Sequence, residues 1–152
     1  MLLAIDPGPE KSAYVIVSGK DDLRAVEFAK IDNDAMLSRL DTLCAGGMEV
    51  AIERVASYGM AVGDSVFETV YWTGRYTQAA LALGVRVTRV PRMAVKMHIC
   101  HDSRAKDANI VRALKDRFGD KGTKVKPGWL YGFSKDCWQA YALAVAFVEA
   151  GR

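Results

Sequence analysis

Two short apolar runs in this chain each stop on a carboxylate, and this pattern limits the possible folds more than any other feature. Leu2-Leu3-Ala4-Ile5 ends on Asp6 and is broken at once by Pro7-Gly8-Pro9, while Glu49-Val50-Ala51-Ile52 ends on Glu53. Each run reads as a buried strand bounded by turn residues. Around them the pattern alternates. Ala13–Val17 is rich in β-formers and makes a hairpin with the first strand, and Leu23–Ile31 reads as a third strand. Asp32 or Asn33 can cap a helix carrying Met36, Leu37, Leu40, Leu43 and Cys44 at helical spacing, stopped by Gly46-Gly47. A long helix is expected over Ser65–Leu83, with Asp64 as its cap and Gly84 as its stop. Val85–Val90 is a fifth strand ending at Pro91. Ser103 would cap a helix over Arg104–Phe118, and a last helix runs over Lys135–Ala150. The expectation is one α/β domain over residues 1–152. Its five-stranded mixed sheet has strands 1–3 antiparallel and strands 4 and 5 parallel to strand 1, flanked by helices.

Composition excludes several classes. The longest unbroken apolar run, Leu143–Val148, is far short of the roughly 20 residues that cross a bilayer, so no membrane association is expected. The first residues reach Asp6 before any basic segment, which does not match a secretory leader. The 3 cysteines, Cys44, Cys100 and Cys137, are too few and too unevenly spaced for a disulfide framework, and they fit a cytoplasmic protein. His98, Cys100 and His101 lack the second ligand pair that a structural zinc site needs.

The net charge of +3 conceals a division. Residues 1–84 hold 7 Lys/Arg against 12 Asp/Glu, a balance of −5, and residues 85–152 hold 14 against 6, a balance of +8. An acidic metal site beside a polyanion-binding surface would produce that asymmetry, as would solvated surface charge alone.

In open α/β sheets ligands bind beyond the carboxyl ends of the strands, which is where Asp6 and Glu53 fall. Asp136 opens the last helix, and Gln139 lies three residues further on the same helix face. Alone, each carboxylate is equally a surface residue or a group favoured by a helix N-terminus. Together, converging carboxylates repel one another unless a cation lies among them, and Mg²⁺ suits an oxygen-only site. Two such ions about 4 Å apart can stabilise both the attacking and the leaving oxygen in phosphodiester hydrolysis, so the residues point to a metal-dependent nuclease.

These residues resemble a known family. Leu3-Ala4-Ile5-Asp6-Pro7-Gly8 with Tyr14, Glu53 after its strand, and Asp136-Cys137-Trp138-Gln139-Ala140-Tyr141-Ala142-Leu143-Ala144 resemble the motifs of RuvC-type Holliday-junction resolvases of the ribonuclease H-like superfamily. The segments Ala105–Ile110, Phe118-Gly119 and Leu130-Tyr131-Gly132 resemble the bacteriophage branch. The resemblance implies a ribonuclease H-like fold and a homodimer that binds four-way or other branched DNA. It further implies Mg²⁺-dependent paired nicking, with Mn²⁺ able to substitute, and 5′-phosphate ends. Asp6, Glu53 and Asp136 would be the metal ligands, assisted by Gln139. For a phage-encoded protein the setting would be the host cytoplasm.

Two departures stand out. The family usually carries a fourth carboxylate where this chain has Gln139, and Asp107 restores that charge if its helix points inward. The family also places an aromatic three residues after the second acid, where this chain has Ala56, with Tyr58 two further on. Tyr58 either stacks on DNA or is an ordinary loop tyrosine. Lys106 resembles the family's basic residue near the scissile phosphate, where it would offset transition-state charge; the alternative is a helix-surface lysine. Arg104, Lys121, Lys124, Lys126 and Lys135 are candidates for phosphate contacts, as is Arg75 beside Tyr71 and Trp72, which can equally face a dimer partner. A junction-binding protein of the same fold that cuts weakly or not at all is the main alternative, because of Gln139. An actin-like ATPase fragment is a more distant one.

Overall fold

Alternation along the strands sorts the core into two layers. β1 (Leu2–Asp6), β2 (Lys11–Val17) and β3 (Ala25–Asp32) form an antiparallel meander. β4 (Glu49–Arg54) pairs parallel with β1, and β5 (Val87–Pro91) parallel with β4, so the sheet order is β3-β2-β1-β4-β5. The chain forms a computed structural model that describes residues 1–19, 22–44, 46–57 and 59–151. Among the described residues five helices join and flank the strands: α1 (Asn33–Leu43), α2 (Asp64–Ala82), α3 (Arg92–Cys100), α4 (Asp107–Phe118) and α5 (Lys135–Glu149).

Leu3, Ile5, Tyr14, Ile16, Val50 and Ile52 turn to one face, where Met36 and Leu40 of α1 and Trp72, Tyr76 and Ala80 of α2 cover them. Leu2, Ala4, Ala13, Val15, Ala51 and Val90 turn to the other, beneath α5 and residues of α3 and α4. Burying each large side chain in these layers is worth about 1.5–3 kcal/mol. The second face is lined centrally by Ala4, Ala13 and Ala51, opposite Ala140 and Ala144 of α5, and every residue from Cys137 to Phe147 is buried. Small side chains on both partners let the helix lie close to the sheet, which brings its N-terminal turn to the carboxyl ends of β1 and β4.

The turn after β1 is held rigidly. Asn33 Nδ2 donates to the Gly8 carbonyl at 2.9 Å, Ser12 Oγ donates to Asn33 Oδ1 at 2.7 Å, and Tyr76 Oη lies 3.1 Å from Ser12 Oγ. A Cβ on Gly8 would stand 2.3 Å from the Lys11 carbonyl oxygen, so this turn closes only around glycine.

The sheet and its strand directions match the sequence expectation, but three elements differ. Asp64 is the first residue of α2 and not its cap, which is Gly63. Residues 92–100 form α3, which the sequence reading leaves unassigned. Pro91 stands at its N-cap, none of the usual capping side chains is present, and only Val95 and Ile99 are buried, so it carries too few apolar positions to show a helical period. The next helix begins at Asp107, not Arg104. Ser103 caps nothing, because the Asp102 side chain accepts from the Arg104 N–H and residues 102–105 make a turn instead. Among the described residues no helix is long and apolar enough to cross a membrane.

Candidate active site at the carboxyl ends of the sheet

Register places the first two acids side by side. Ile5 pairs with Ile52 in the parallel β1–β4 ladder, so Asp6 and Glu53 follow as neighbours at the strand ends. Both share the face of Ala4 and Ala51, which is the face covered by α5. Asp136, in the first turn of α5, and Asp107, the first residue of α4, arrive from above. Burial, reinforced by the charge of Glu53 and then of Asp136 and Asp107, pushes the Asp6 carboxyl well above the usual carboxylate range; Arg92 opposes the shift.

Arg92 organises the other half of the site. It follows β5 by one residue and lies two beyond Val90, so it projects onto the same face. Its Nη1 donates to Glu53 Oε1 and Oε2 at 3.1 and 2.9 Å, and its Nη2 to Asp107 Oδ1 at 2.5 Å and Gln139 Oε1 at 3.1 Å. Glu53 is only 6% exposed, and burial raises its carboxyl against the pull of Arg92. Gln139 is 4% exposed, and its Nε2 has no hydrogen-bond partner. Asp136 is held differently. Lys30 Nζ donates to its Oδ2 at 2.6 Å, with both side chains partly open to solvent. The Lys30 position is set by a row across the sheet, since Asp6 pairs with Ala13 and Ala13 with Lys30. A cavity of about 140 Å³ lies in front of this half, lined by Asp6, Gly8, Lys11, Lys30 and Asp136.

The structure therefore gathers Asp6, Glu53, Asp136, Gln139 and Asp107 into one cluster, and Asp107 does point inward. The donors are carboxylate and amide oxygens, which suit a hard divalent cation. Asp6, buried among three other carboxylates, is the group most in need of one. Among the described residues no three His, Cys, Asp or Glu side chains stand together as a ready-made metal cage; Arg92 holds Glu53 and Asp107, and Lys30 holds Asp136.

The basic candidates lie outside the cluster. Lys106 occupies the N-cap position of α4 with its side chain exposed, while its N–H donates to Asn109 Oδ1 at 2.8 Å. Arg104 is exposed on the same rim. Lys121 is tied into the loop, its Nζ donating to the Phe133 carbonyl at 2.9 Å, whereas Lys124, Lys126 and Lys135 are exposed. Arg75 belongs to α2 on the opposite face, stacked 4.5 Å over the Trp72 ring and 3.8 Å from Asp34, so the fold does not bring it to the carboxylates. Tyr58 lies outside the described residues. The sequence reading missed Arg92 and Lys30. Arg92 was findable, because the strand-end rule that picks Asp6 and Glu53 applies equally to the residue just past β5. Lys30 carries no such signal.

Comparison with solved structures bears on the architecture. A T. thermophilus RuvC structure in complex with Holliday junction substrate superimposes with a TM-score of 0.77 at 19% identity, covering 99% of this chain and 94% of that one. A second Thermus thermophilus RuvC structure gives 0.69 at 20% identity, covering 99% and 96%. The fold is that of RuvC. No protein-family model matches the sequence, and no curated protein matches it.

Proposed function

We propose that this chain is a Mg²⁺-dependent, structure-selective endonuclease that resolves four-way junctions or other branched DNA by paired nicking. The observation that carries the reading is Asp6: a buried carboxylate at the end of the central strand, ringed by Glu53, Asp107 and Asp136, in a fold shared with a RuvC bound to a Holliday junction. The acidic set Asp6, Glu53 and Asp136, with Gln139 beside them, would hold the divalent cations of two-metal hydrolysis, and Mn²⁺ can replace Mg²⁺. A cation bound there activates water and offsets charge on the phosphate. Water attacks phosphorus, the bond to the 3′ oxygen breaks, and the products are a 5′-phosphate and a 3′-hydroxyl.

The chain's own residues do the rest. Lys106 and Arg104, exposed on the rim beside Asp107, offset charge on the scissile strand. Lys124, Lys126 and Lys135 contact backbone phosphates, with Lys121 bracing their loop, and Tyr58 stacks on an unpaired base. Paired nicks need two sites. The exposed apolar face of α2, with Phe67, Val70, Tyr71 and Leu81, supports a homodimer in which Arg75 lies near the partner. Residues 1–152 act as one nuclease domain of the bacteriophage type, working in the host cytoplasm.

The test is a labelled four-way junction incubated with the pure protein and Mg²⁺, with both nicks mapped on a gel. Symmetric nicks that disappear in Asp6→Asn support the reading, and undiminished cutting by that variant sinks it. A second reading has its own observation: Gln139 supplies no negative charge, and Arg92 holds Glu53. Tight junction binding without nicking at any Mg²⁺ or Mn²⁺ concentration would favour a non-cutting junction-binding protein.

A further inference from the structure

We propose that the hairpin of residues 121–128 is a wedge: its tip residue, Val125, enters a base step beside a DNA branch point while Lys124 and Lys126 hold the flanking phosphates. The inference rests on the branched-DNA reading and deepens it, because it names a feature that separates branched from continuous duplex.

The hairpin is built tightly. The Gly128 N–H donates to the Lys121 carbonyl at 2.8 Å and the Thr123 N–H to the Lys126 carbonyl at 2.9 Å, with Gly122 and Pro127 paired between them. The Lys126 N–H turns back onto Thr123 Oγ1 at 3.1 Å. A Cβ on Gly122 would stand 2.4 Å from the Lys126 carbonyl oxygen, and one on Gly128 would stand 2.2 Å from the Asp120 carbonyl oxygen, so neither position accepts a side chain. Lys124-Val125 is left as the tip. Loops this short favour Asn-Gly, Asp-Gly or another glycine pair, and a β-branched residue gives such a turn nothing. Val125 is nevertheless 95% exposed. A lone apolar side chain on an ordinary surface needs no explanation. One held at the point of a stiff loop, against the preference of the turn, suits a role outside the fold.

Charge names the partner. Lys124 and Lys126 are exposed on either side of Val125, and Asp120, the acid at the root, is paired with Lys115 at 3.0 Å. An apolar tip between two ammonium groups fits a base step between phosphates better than it fits an apolar protein groove. The root is fixed at the end of α5 that carries Asp136. Lys121 Nζ donates to the Phe133 carbonyl at 2.9 Å, and Gly122 and Thr123 share a cavity of about 500 Å³ with Trp138 of α5. At about 3.4 Å per residue the tip stands about 10 Å beyond Lys121, or about three phosphate spacings along one strand. Opening a step inside a continuous duplex costs stacking energy, whereas a step at a branch point is already weakened, so the wedge favours branched DNA.

The test uses the full chain with Ca²⁺ in place of Mg²⁺, the strands being checked as intact on a denaturing gel. Four-way junctions carry 2-aminopurine, which brightens when its base unstacks, at each of the first three paired positions of one arm. Wild type binds and brightens at least one position. Val125→Ser, confirmed folded by circular dichroism, binds more weakly by no more than about tenfold. It loses the brightening and most of the preference for junction over linear duplex, and Val125→Leu keeps both. Lys124→Ala and Lys126→Ala each lower the salt slope of binding by about 1 and keep the brightening at saturation. Brightening or junction preference that survives in Val125→Ser overturns the inference while the branched-DNA reading stands. A changed oligomeric state of that variant in sedimentation also overturns it, since a second copy would then cover the tip. A wild type that binds no junction at low salt sinks the reading and the inference together. Brightening that depends on Val125, without nicking once Mg²⁺ is supplied, supports the inference while the nuclease reading fails.

Discussion

The two ends of α5 place carboxylates among cations with opposite results. At the C-terminal end one carboxylate, Glu149, meets two partners: the Arg117 guanidinium binds it, and His98 Nε2 donates to Oε2 at 2.6 Å. Those contacts, Arg117 first, hold the Glu149 carboxyl below its ordinary value. At the N-terminal end four carboxylates share Arg92 and Lys30, and Asp6 is pushed upward instead. The first arrangement is complete, and it ties α3, α4 and α5 together. Both ends face a cavity, of about 590 Å³ beside Glu149 and about 140 Å³ beside Asp6, but only at the second do carboxylates outnumber the cations that contact them, as suits a site that receives a cation. Histidine and carboxylate near one another do not make a site; uncompensated charge facing a cavity does.

Asp6→Asn attacks this contrast most directly. It removes the carboxylate most in need of a cation, and junction nicking should fall by about 10³-fold or more, the loss of several kcal/mol of charge stabilisation, while gel-shift binding changes little. A variant that nicks normally would place the chemistry elsewhere. Next in size, Arg92→Ala leaves Glu53 buried and unpaired and should cost about 3 kcal/mol in urea unfolding of the metal-free protein. A loss below about 1 kcal/mol would mean that Arg92 does not bridge the cluster in solution.

The paired end responds more weakly and with a definite pH dependence. Glu149→Gln should cost about 1 kcal/mol at pH 7, since its partners are only partly buried. Because the folded carboxyl titrates below its unfolded value, its contribution is present above that value, near 4.3, and is lost as pH falls through the folded value. Wild-type and variant unfolding curves should therefore converge in acid, and a gap that persists below pH 3 would assign the effect to packing. Smallest of all, Lys30→Ala removes a half-exposed pair and should shift stability by less than about 0.5 kcal/mol; a larger loss would make this half of the site a structural tie like the Glu149 end of the helix.

Much of the site was legible before folding, for a local reason. Asp6 and Glu53 stand where apolar strands stop, and Asp136 stands where a buried helix starts, so short patterns locate all three. Asp107 could be named as a candidate but its direction could not, since a helix whose start was misplaced by three residues has no known facing. α3 escaped notice because only Val95 and Ile99 are buried on it. Arg92 was overlooked for the same reason, since it opens the helix that went unread. Tyr76, Ser12 and Asn33 read as a helix aromatic, a strand serine and a cap, yet together they clamp the turn beside Asp6.

By itself the chain determined the order of strands and helices, the directions of the strands and the three acids at their ends, because apolar periodicity and turn residues act over a few positions. Tertiary structure alone decided which charges meet. Arg92 reaches Glu53 across 39 residues and Gln139 across 47, and Lys30 reaches Asp136 across 106. Whether such groups touch depends on strand register and on how closely α5 lies on the alanines of the sheet, and neither is written in any short stretch of sequence.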